Sequence, residues 1–296
     1  MKELKGIIVA MATPFHADES LAPQLIKPLV DKQIADGVHG LFAAGSCGEN
    51  YALDDGERVE LAQATVEAAA GRVPVVIGAG MPTTRDTIKA VKALNNSGAD
   101  VLSVVLPYYA RPTQEEIYRH FMDVAEHSQI PLMIYNIPPF TGTNLEPQTA
   151  AKLSRTGKFV AVKDSSGDFA QFEAYAQSCD PSMALIIGND QLMYKAFEIG
   201  AAGAITAPGN ALSRICVAIY ERSQAGDKQG AAQAQADWDA ALEIIGPLST
   251  TPGQYKAVTS RLVSEVGPPR RPAYPADPKK LEDVIAKLTP FIEKYY

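Results

Sequence analysis

No two cysteines of this sequence stand in a Cys-x-x-Cys pair. Cys47, Cys179 and Cys216 are the whole set, which excludes a zinc knuckle or dithiol redox motif. An odd, sparse set suits a reducing compartment. Histidine is scarce as well: His16, His39, His120 and His127 lack a His-x-x-x-His spacing and offer no metal-ligand set. Neither a G-x-G-x-x-G fingerprint nor a Walker A sequence is present, so no nucleotide cofactor is indicated. Basic charge is outweighed, 27 Lys and Arg against 34 Asp and Glu, for a net charge of −7. That excludes the electrostatic footprint of a nucleic-acid binder and argues against docking on anionic membranes. No apolar run approaches the ~20 residues of a membrane span. The run after Gly6 is cut by Pro14 and reads as a buried strand rather than a signal segment. A cytoplasmic chain is expected, with neither nucleic acid nor membrane as partner.

What is present is alternation. Short, Val- and Ile-rich runs lie at 6–13, 38–45, 73–80, 100–107, 130–138, 159–163, 184–188 and 203–207. Near-continuous apolarity is the mark of strands buried on both faces. Between them lie helical periods. Residues 54–70 carry a stripe of Val59, Ala62, Val66 and Ala69; 84–97 carry Ile88, Val91 and Leu94; 113–127 carry Ile117, Phe121, Val124 and Ala125. Eight strand–helix alternations in 296 residues fit an α/β fold, a (β/α)₈ barrel. Four further helical segments, 212–224, 228–245, 254–266 and 277–296, exceed what the eighth unit needs. Residues 1–210 are therefore expected to form the barrel core. Residues 211–296 would supply its final helix and a C-terminal helical extension that is not an independent domain. The stretch from Gly267 to Pro272 reads as a stiff connector whose Arg270 and Arg271 either bind an anion or lie solvated.

In such a barrel the chemistry sits where strands end. The second run ends in Gly45-Ser46-Cys47-Gly48-Glu49, the fourth in Pro107-Tyr108-Tyr109, the fifth in Tyr135-Asn136-Ile137-Pro138, the sixth in Lys163-Asp164 and the seventh in Gly188-Asn189-Asp190. Lys163 follows Phe159-Val160-Ala161-Val162, and alternation carries it to the interior or mouth. Burial disfavours the charged form of an amine, and a neutral amine attacks ketones to give an imine, an electron sink. A lysine at a strand end with its head in water is the competing reading. Tyr135, one strand earlier, is either a proton shuttle beside Lys163 or a core tyrosine. The turn at Ser46–Cys47 presents backbone N–H groups that suit a carboxylate, as many small-residue turns do.

Taken together and in order, these motifs resemble the dihydrodipicolinate synthase / N-acetylneuraminate lyase family of pyruvate-dependent class I aldolases. The resemblance runs from Gly6 to about Gly209. It rests on Ala12-Thr13-Pro14-Phe15, the Gly45–Glu49 turn, Pro107-Tyr108-Tyr109 with Arg111-Pro112-Thr113-Gln114, Tyr135-Asn136-Ile137-Pro138 with Thr141-Gly142, Val162–Gly167 and Gly188. It implies Lys163 as the Schiff-base lysine and Tyr135 as the proton-transfer residue. Ser46 and Cys47 would hold the pyruvate carboxylate, with Ser46 joining the tyrosine relay. Tyr109 would be donated across a subunit interface, and Gly188 and Ile205 would line the pyruvate pocket. A homotetramer, and a covalent imine without metal or organic cofactor, follow from the same resemblance.

Two departures shape the expected substrate. Cys47 replaces a hydroxyl residue and is a poorer donor. Phe140 stands where dihydrodipicolinate synthases place an arginine that grips the carboxylate of aspartate semialdehyde. Asp190 falls where the sialic-acid lyase branch presents an acid to sugar hydroxyls, or else caps the following helix. The leading expectation is cleavage or condensation of a 2-keto-3-deoxy sugar acid, or a related 2-keto acid, with pyruvate as one partner. Dihydrodipicolinate synthase activity with Arg111 as substitute clamp is a rival. A barrel that binds a keto acid without turnover is another.

Overall fold

The computed structural model describes residues 3–296. Eight parallel strands, each hydrogen-bonded to the next in sequence, close into a barrel as the last pairs with the first. The strands are β1 (Gly6–Ala10), β2 (Gly40–Ala43), β3 (Val75–Gly78), β4 (Val101–Val105), β5 (Leu132–Asn136), β6 (Phe159–Asp164), β7 (Ala184–Ile187) and β8 (Gly203–Thr206). The helices between them are α1 (Ile26–Ala35), α2 (Asp55–Ala69), α3 (Thr84–Leu94), α4 (Gln114–Ala125), the single turn α5 (Pro138–Thr141), α6 (Pro147–Ser154), α7 (Phe169–Ser178) and α8 (Met193–Glu198). α9 (Gly209–Gln224) completes the ring, and α10 (Lys228–Ile245), α11 (Gly253–Leu262) and α12 (Pro278–Tyr295) follow. No helix among the described residues is long and apolar enough to cross a membrane.

Side chains alternate across each strand, so every strand feeds two cores. Ile8, Ala10, Phe42, Val76, Met133, Ala161, Ile186 and Ile205 fill the lumen. Ile7, Val9, Leu41, Val75, Ile134 and Val162 face outward under the helices. Helix starts are fixed locally. Asp54 with Glu57, and Thr113 with Glu116, form reciprocal capping boxes at α2 and α4, while Thr83 caps α3.

The stripe expected on α2 is rotated. Its buried face is Arg58, Leu61, Ala62, Thr65, Ala68 and Ala69, with Val59 and Val66 only half-buried. The cause is Arg58, whose guanidinium points inward to the carbonyls of Gly78 (3.1 Å) and Asn50 (2.9 Å). Small alanines on the same side let the helix approach the barrel closely. The helix expected at 254–266 ends at Leu262, because the chain then turns to bring the Val266 carbonyl to the Phe15 amide.

The connector of residues 267–272 spends its two arginines on this chain's own carboxylates, Arg270 half-buried and Arg271 exposed. Arg270 pairs with Glu57, donates to the Ala52 and Glu19 carbonyls, and lies over the Phe15 ring at 4.1 Å. Arg271 pairs with Glu19. Beneath them Lys256, on α11, is wholly buried against a wholly buried Glu49 at 2.9 Å. Its remaining donors reach the carbonyls of Thr13 and Pro268, both at 2.8 Å, and the second Glu49 oxygen accepts from the Arg270 amide at 2.8 Å. The C-terminal extension is thereby bolted to the β2–α2 turn. Removing one member of a fully hydrogen-bonded buried pair leaves the other charge without compensation. Lys256→Met is expected to lower stability by about 3–5 kcal/mol in chemical denaturation; a loss below about 1 kcal/mol would mean the pair behaves like a surface one.

Candidate active site

Lys163 sits two residues after Ala161, on the same face of β6, and therefore points into the lumen. It is 5% exposed, and its ammonium nitrogen makes no ion pair or hydrogen bond among the described residues. Aromatic rings surround it instead: the Tyr135 ring centre lies 3.9 Å from Nζ and that of Phe42 5.4 Å. Tyr135 is its register partner across β5–β6. That register is locked one residue on. Asn136 donates to Asp164 Oδ1 at 2.7 Å and to Asn144 Oδ1 at 2.8 Å, and accepts from the Leu145 amide at 3.0 Å. Asp164 also accepts from Ser166 and Gln171. Burial pushes the Asp164 carboxyl up, and these hydrogen bonds pull it back.

Gly188 closes the other side of the lysine. A methyl group there would overlap Ser165 Oγ and stand 2.7 Å from Lys163 Cε. The glycine is thus a steric requirement of the lysine's stem. Ile205 lies in the same lumen layer on β8.

The turn after β2 forms the wall opposite β6. Ala44 (φ 53°) and Glu49 (φ 55°) both adopt the left-handed region, which costs L-residues energy and persists only where the surroundings impose it. They are imposed: Glu49 by Lys256, Gly48 by the Thr13 hydroxyl on its carbonyl (2.6 Å), and Asn50 by Arg58. Ala44 packs its carbonyl onto Gly78, where any Cβ would overlap it. Between the two strained residues, the amides of Ser46, Cys47 and Gly48 donate to no group among the described residues. Successive unspent N–H groups form a cradle for a carboxylate. Cys47 is buried, and its thiol is pushed up to about 12 by burial first and the Glu49 charge second. It is a packing group there, not a nucleophile.

Asp190 does not cap a helix. Asn189 does, accepting from the Gln191 amide at 3.0 Å. Asp190 instead turns its side chain inward, with Oδ1 enclosed and unpartnered. Burial pushes its carboxyl up to about 6, while the Thr206 hydroxyl and the nearby Lys163 pull it back.

Above these groups opens a cavity of about 450 Å³. Ser46 lies on its wall, and Phe140, 62% exposed, stands at its mouth. Ser46 and Tyr135 also line a narrow recess beneath. Lys163, Tyr135, Ser46, Cys47, Gly188, Asp190 and Ile205 are thus brought to one end of the barrel. Tyr109 is fully exposed, with φ 75°, and lines neither the cavity nor the recess. Sequence reasoning missed Phe42, Arg58 and Lys256. Phe42 was hidden in a run of apolar residues, and Lys256 meets its partner across 207 positions.

The Asp190 carboxyl gives a pH test. Its folded pKa of about 6 lies above the ordinary carboxyl value of ~3.9. Its contribution to stability is therefore full below the unfolded value and lost as pH rises through about 6. Asp190→Asn lacks that loss, so its melting temperature should gain on the native protein's between pH 4 and pH 7; a gap that stays constant over this range contradicts the burial argument.

The family model of the dihydrodipicolinate synthetase family matches residues 3–290. A 4-hydroxy-tetrahydrodipicolinate synthase of Thermomicrobium roseum is 33% identical over 285 residues, covering 96% of this chain and 94% of the relative. The crystal structure of dihydrodipicolinate synthase DapA-2 from Bacillus anthracis superposes with a TM-score of 0.93 at 26% identity, over 98% of this chain and 99% of that one. YagE, a prophage protein of the dihydrodipicolinic acid synthase family from E. coli K12 in complex with pyruvate, superposes with a TM-score of 0.91 at 27% identity, over 99% of each chain.

Proposed function

The chain belongs to the dihydrodipicolinate synthetase family and is a pyruvate-dependent lyase of the class I aldolase type, and we propose that its imine forms on Lys163 and its partner substrate is an aldehyde. The observation that carries this reading is the lysine itself, buried in the lumen beside Tyr135 and in ion-pair contact with no carboxylate among the described residues.

Lys163 Nζ adds to C2 of a 4-hydroxy-2-keto acid, the skeleton of 2-keto-3-deoxy sugar acids, and the keto oxygen leaves as water. The substrate carboxylate rests on the Ser46–Gly48 amides, with Cys47 adding apolar bulk rather than a strong donor. Tyr135, relayed through Ser46, takes the proton of the C4 hydroxyl. The C3–C4 bond breaks, its electron pair enters the iminium, and the aldehyde departs. The enamine takes a proton at C3, and water releases pyruvate and the free amine. Condensation is the same path reversed. The imine is the electron sink, so the sequence of steps calls for no metal or organic cofactor. Asp190, enclosed near Lys163 with an unspent oxygen, is the acceptor offered to a substrate hydroxyl.

Phe140 in place of a carboxylate clamp is the support for a 4-hydroxy-2-keto acid whose far end carries no carboxylate, over aspartate semialdehyde. The second reading leans on Arg111, whose Nε stands 3.7 Å from where a Cβ on Gly142 would lie, one residue beyond Thr141 of the cavity wall. It is the cation that this reading would assign to the semialdehyde carboxylate. Tyr109, exposed and held at positive φ, is the residue a second copy would receive, in keeping with a homotetramer.

Lys163→Ala is expected to abolish turnover, and retained activity within about tenfold of the native protein contradicts the imine. Tyr135→Phe is expected to slow carbon–carbon cleavage by about 10²–10⁴-fold yet still exchange the keto oxygen of pyruvate with isotopically labelled water. Equal losses in both readings remove Tyr135 from proton transfer. For the assembly, sedimentation is expected to give a species larger than one chain in which Tyr109→Phe lowers turnover; a fully active monomer contradicts the role of Tyr109.

A further inference from the structure

We infer that the aldehyde half of the substrate carries an apolar, preferentially aromatic, substituent that lies against Phe140. The inference rests on the imine reading above, which fixes the pyruvyl end at Lys163 and leaves the mouth cavity to the other end.

The cavity of about 450 Å³ has the size of a small-molecule site. Its walls include Tyr51, Val105, Tyr108, Ile137, Pro139 and Phe140, and no charged side chain lines it. Polar groups come only from Ser46, Asn50, the tyrosine hydroxyls and two threonines. Val105, Tyr135 and Ile137, with Tyr108 against them, form an apolar cluster separate from both the lumen and the shell. This cluster runs from the presumed proton-transfer phenol out to the cavity. A substrate held by its keto acid at Lys163 therefore leaves Tyr135 along an apolar wall.

Two large aromatic side chains project from the rim without cover. Phe140 is 62% exposed and Tyr51 55% exposed. Both rings line the cavity, and an apolar ligand laid against them removes apolar area from water, which is favourable. Edge-to-face or offset contact with an aromatic substituent adds to that. A carboxylate or a chain of hydroxyls gains nothing there, and would lose water without a matching donor. Arg111 stands beside Gly142 and does not line the cavity. Asp190 lies below, close to Lys163, where it meets a hydroxyl near the reacting carbons but not the far end of the substrate. The arrangement divides the substrate into a polar head at the imine and an apolar tail at the mouth.

The experiment measures kcat/KM for condensation of pyruvate with three aldehydes: benzaldehyde, glyceraldehyde and aspartate semialdehyde. The native protein is first checked for exchange of the pyruvate keto oxygen with labelled water. With exchange present, benzaldehyde is expected to exceed each of the other two by about tenfold or more, the scale of discrimination an apolar pocket supplies. Phe140→Leu should keep that order and Phe140→Arg should invert it in favour of aspartate semialdehyde. Phe140 is exposed, so neither variant threatens the fold. With exchange present, a preference for glyceraldehyde or aspartate semialdehyde, a spread below tenfold, or no condensation at all overturns the inference and leaves the imine standing. Absence of exchange overturns the imine reading, and the inference with it.

Discussion

An amine buried inside a barrel with no carboxylate in ion-pair contact among the described residues is the constraint around which this structure is arranged. Burying a charged group without a partner is costly, and a fold tolerates the group only if its surroundings are built for it. Here they are built from rings and a glycine. Tyr135 and Phe42 turn π faces toward Nζ, and Gly188 gives the stem its room. The Asn136–Asp164 lock holds the two strand ends in register, so the phenol and the amine meet by construction rather than by rotamer chance.

The second requirement is a fixed place for the keto acid's carboxylate. On the proposed reading the Ser46–Gly48 turn supplies it, and the turn's ends are held in left-handed conformations, Ala44 by its packing on Gly78 and Glu49 by distant groups. Lys256 grips Glu49 from the C-terminal extension, Arg58 grips Asn50 from α2, and Arg270 joins Glu49 to Glu57. The helices beyond the eighth barrel unit therefore serve the site indirectly. They hold the geometry of a turn that contacts none of them through its own binding groups. Preorganised backbone amides need no reorganisation when a charge arrives, which is the property that makes them effective.

Much of this was legible in the sequence, for physical reasons that differ by residue. The barrel followed from eight apolar runs separated by helical periods, and Lys163 and Tyr135 from strand alternation together with the resemblance of their motifs. The rest depended on contacts that no local pattern encodes. Periodicity puts the α2 stripe on Val59, Ala62, Val66 and Ala69 and carries no signal for Arg58, whose head spends its donors on buried carbonyls. Asp190 was read as a possible cap because it follows a strand; Asn189, one residue earlier, has the capping geometry and frees Asp190 to turn inward. Arg270 and Arg271 gave two readings as isolated charges and a third once Glu57 and Glu19 were in place. Lys256 carried no signal at all, since its partner is remote in sequence.

The most direct measurement is borohydride reduction in the presence of pyruvate, followed by peptide mapping of the modified chain. A single reduced adduct on the peptide containing Lys163, with none on Lys256, is the predicted result. An unmodified folded protein, or an adduct on any other lysine, would contradict the account.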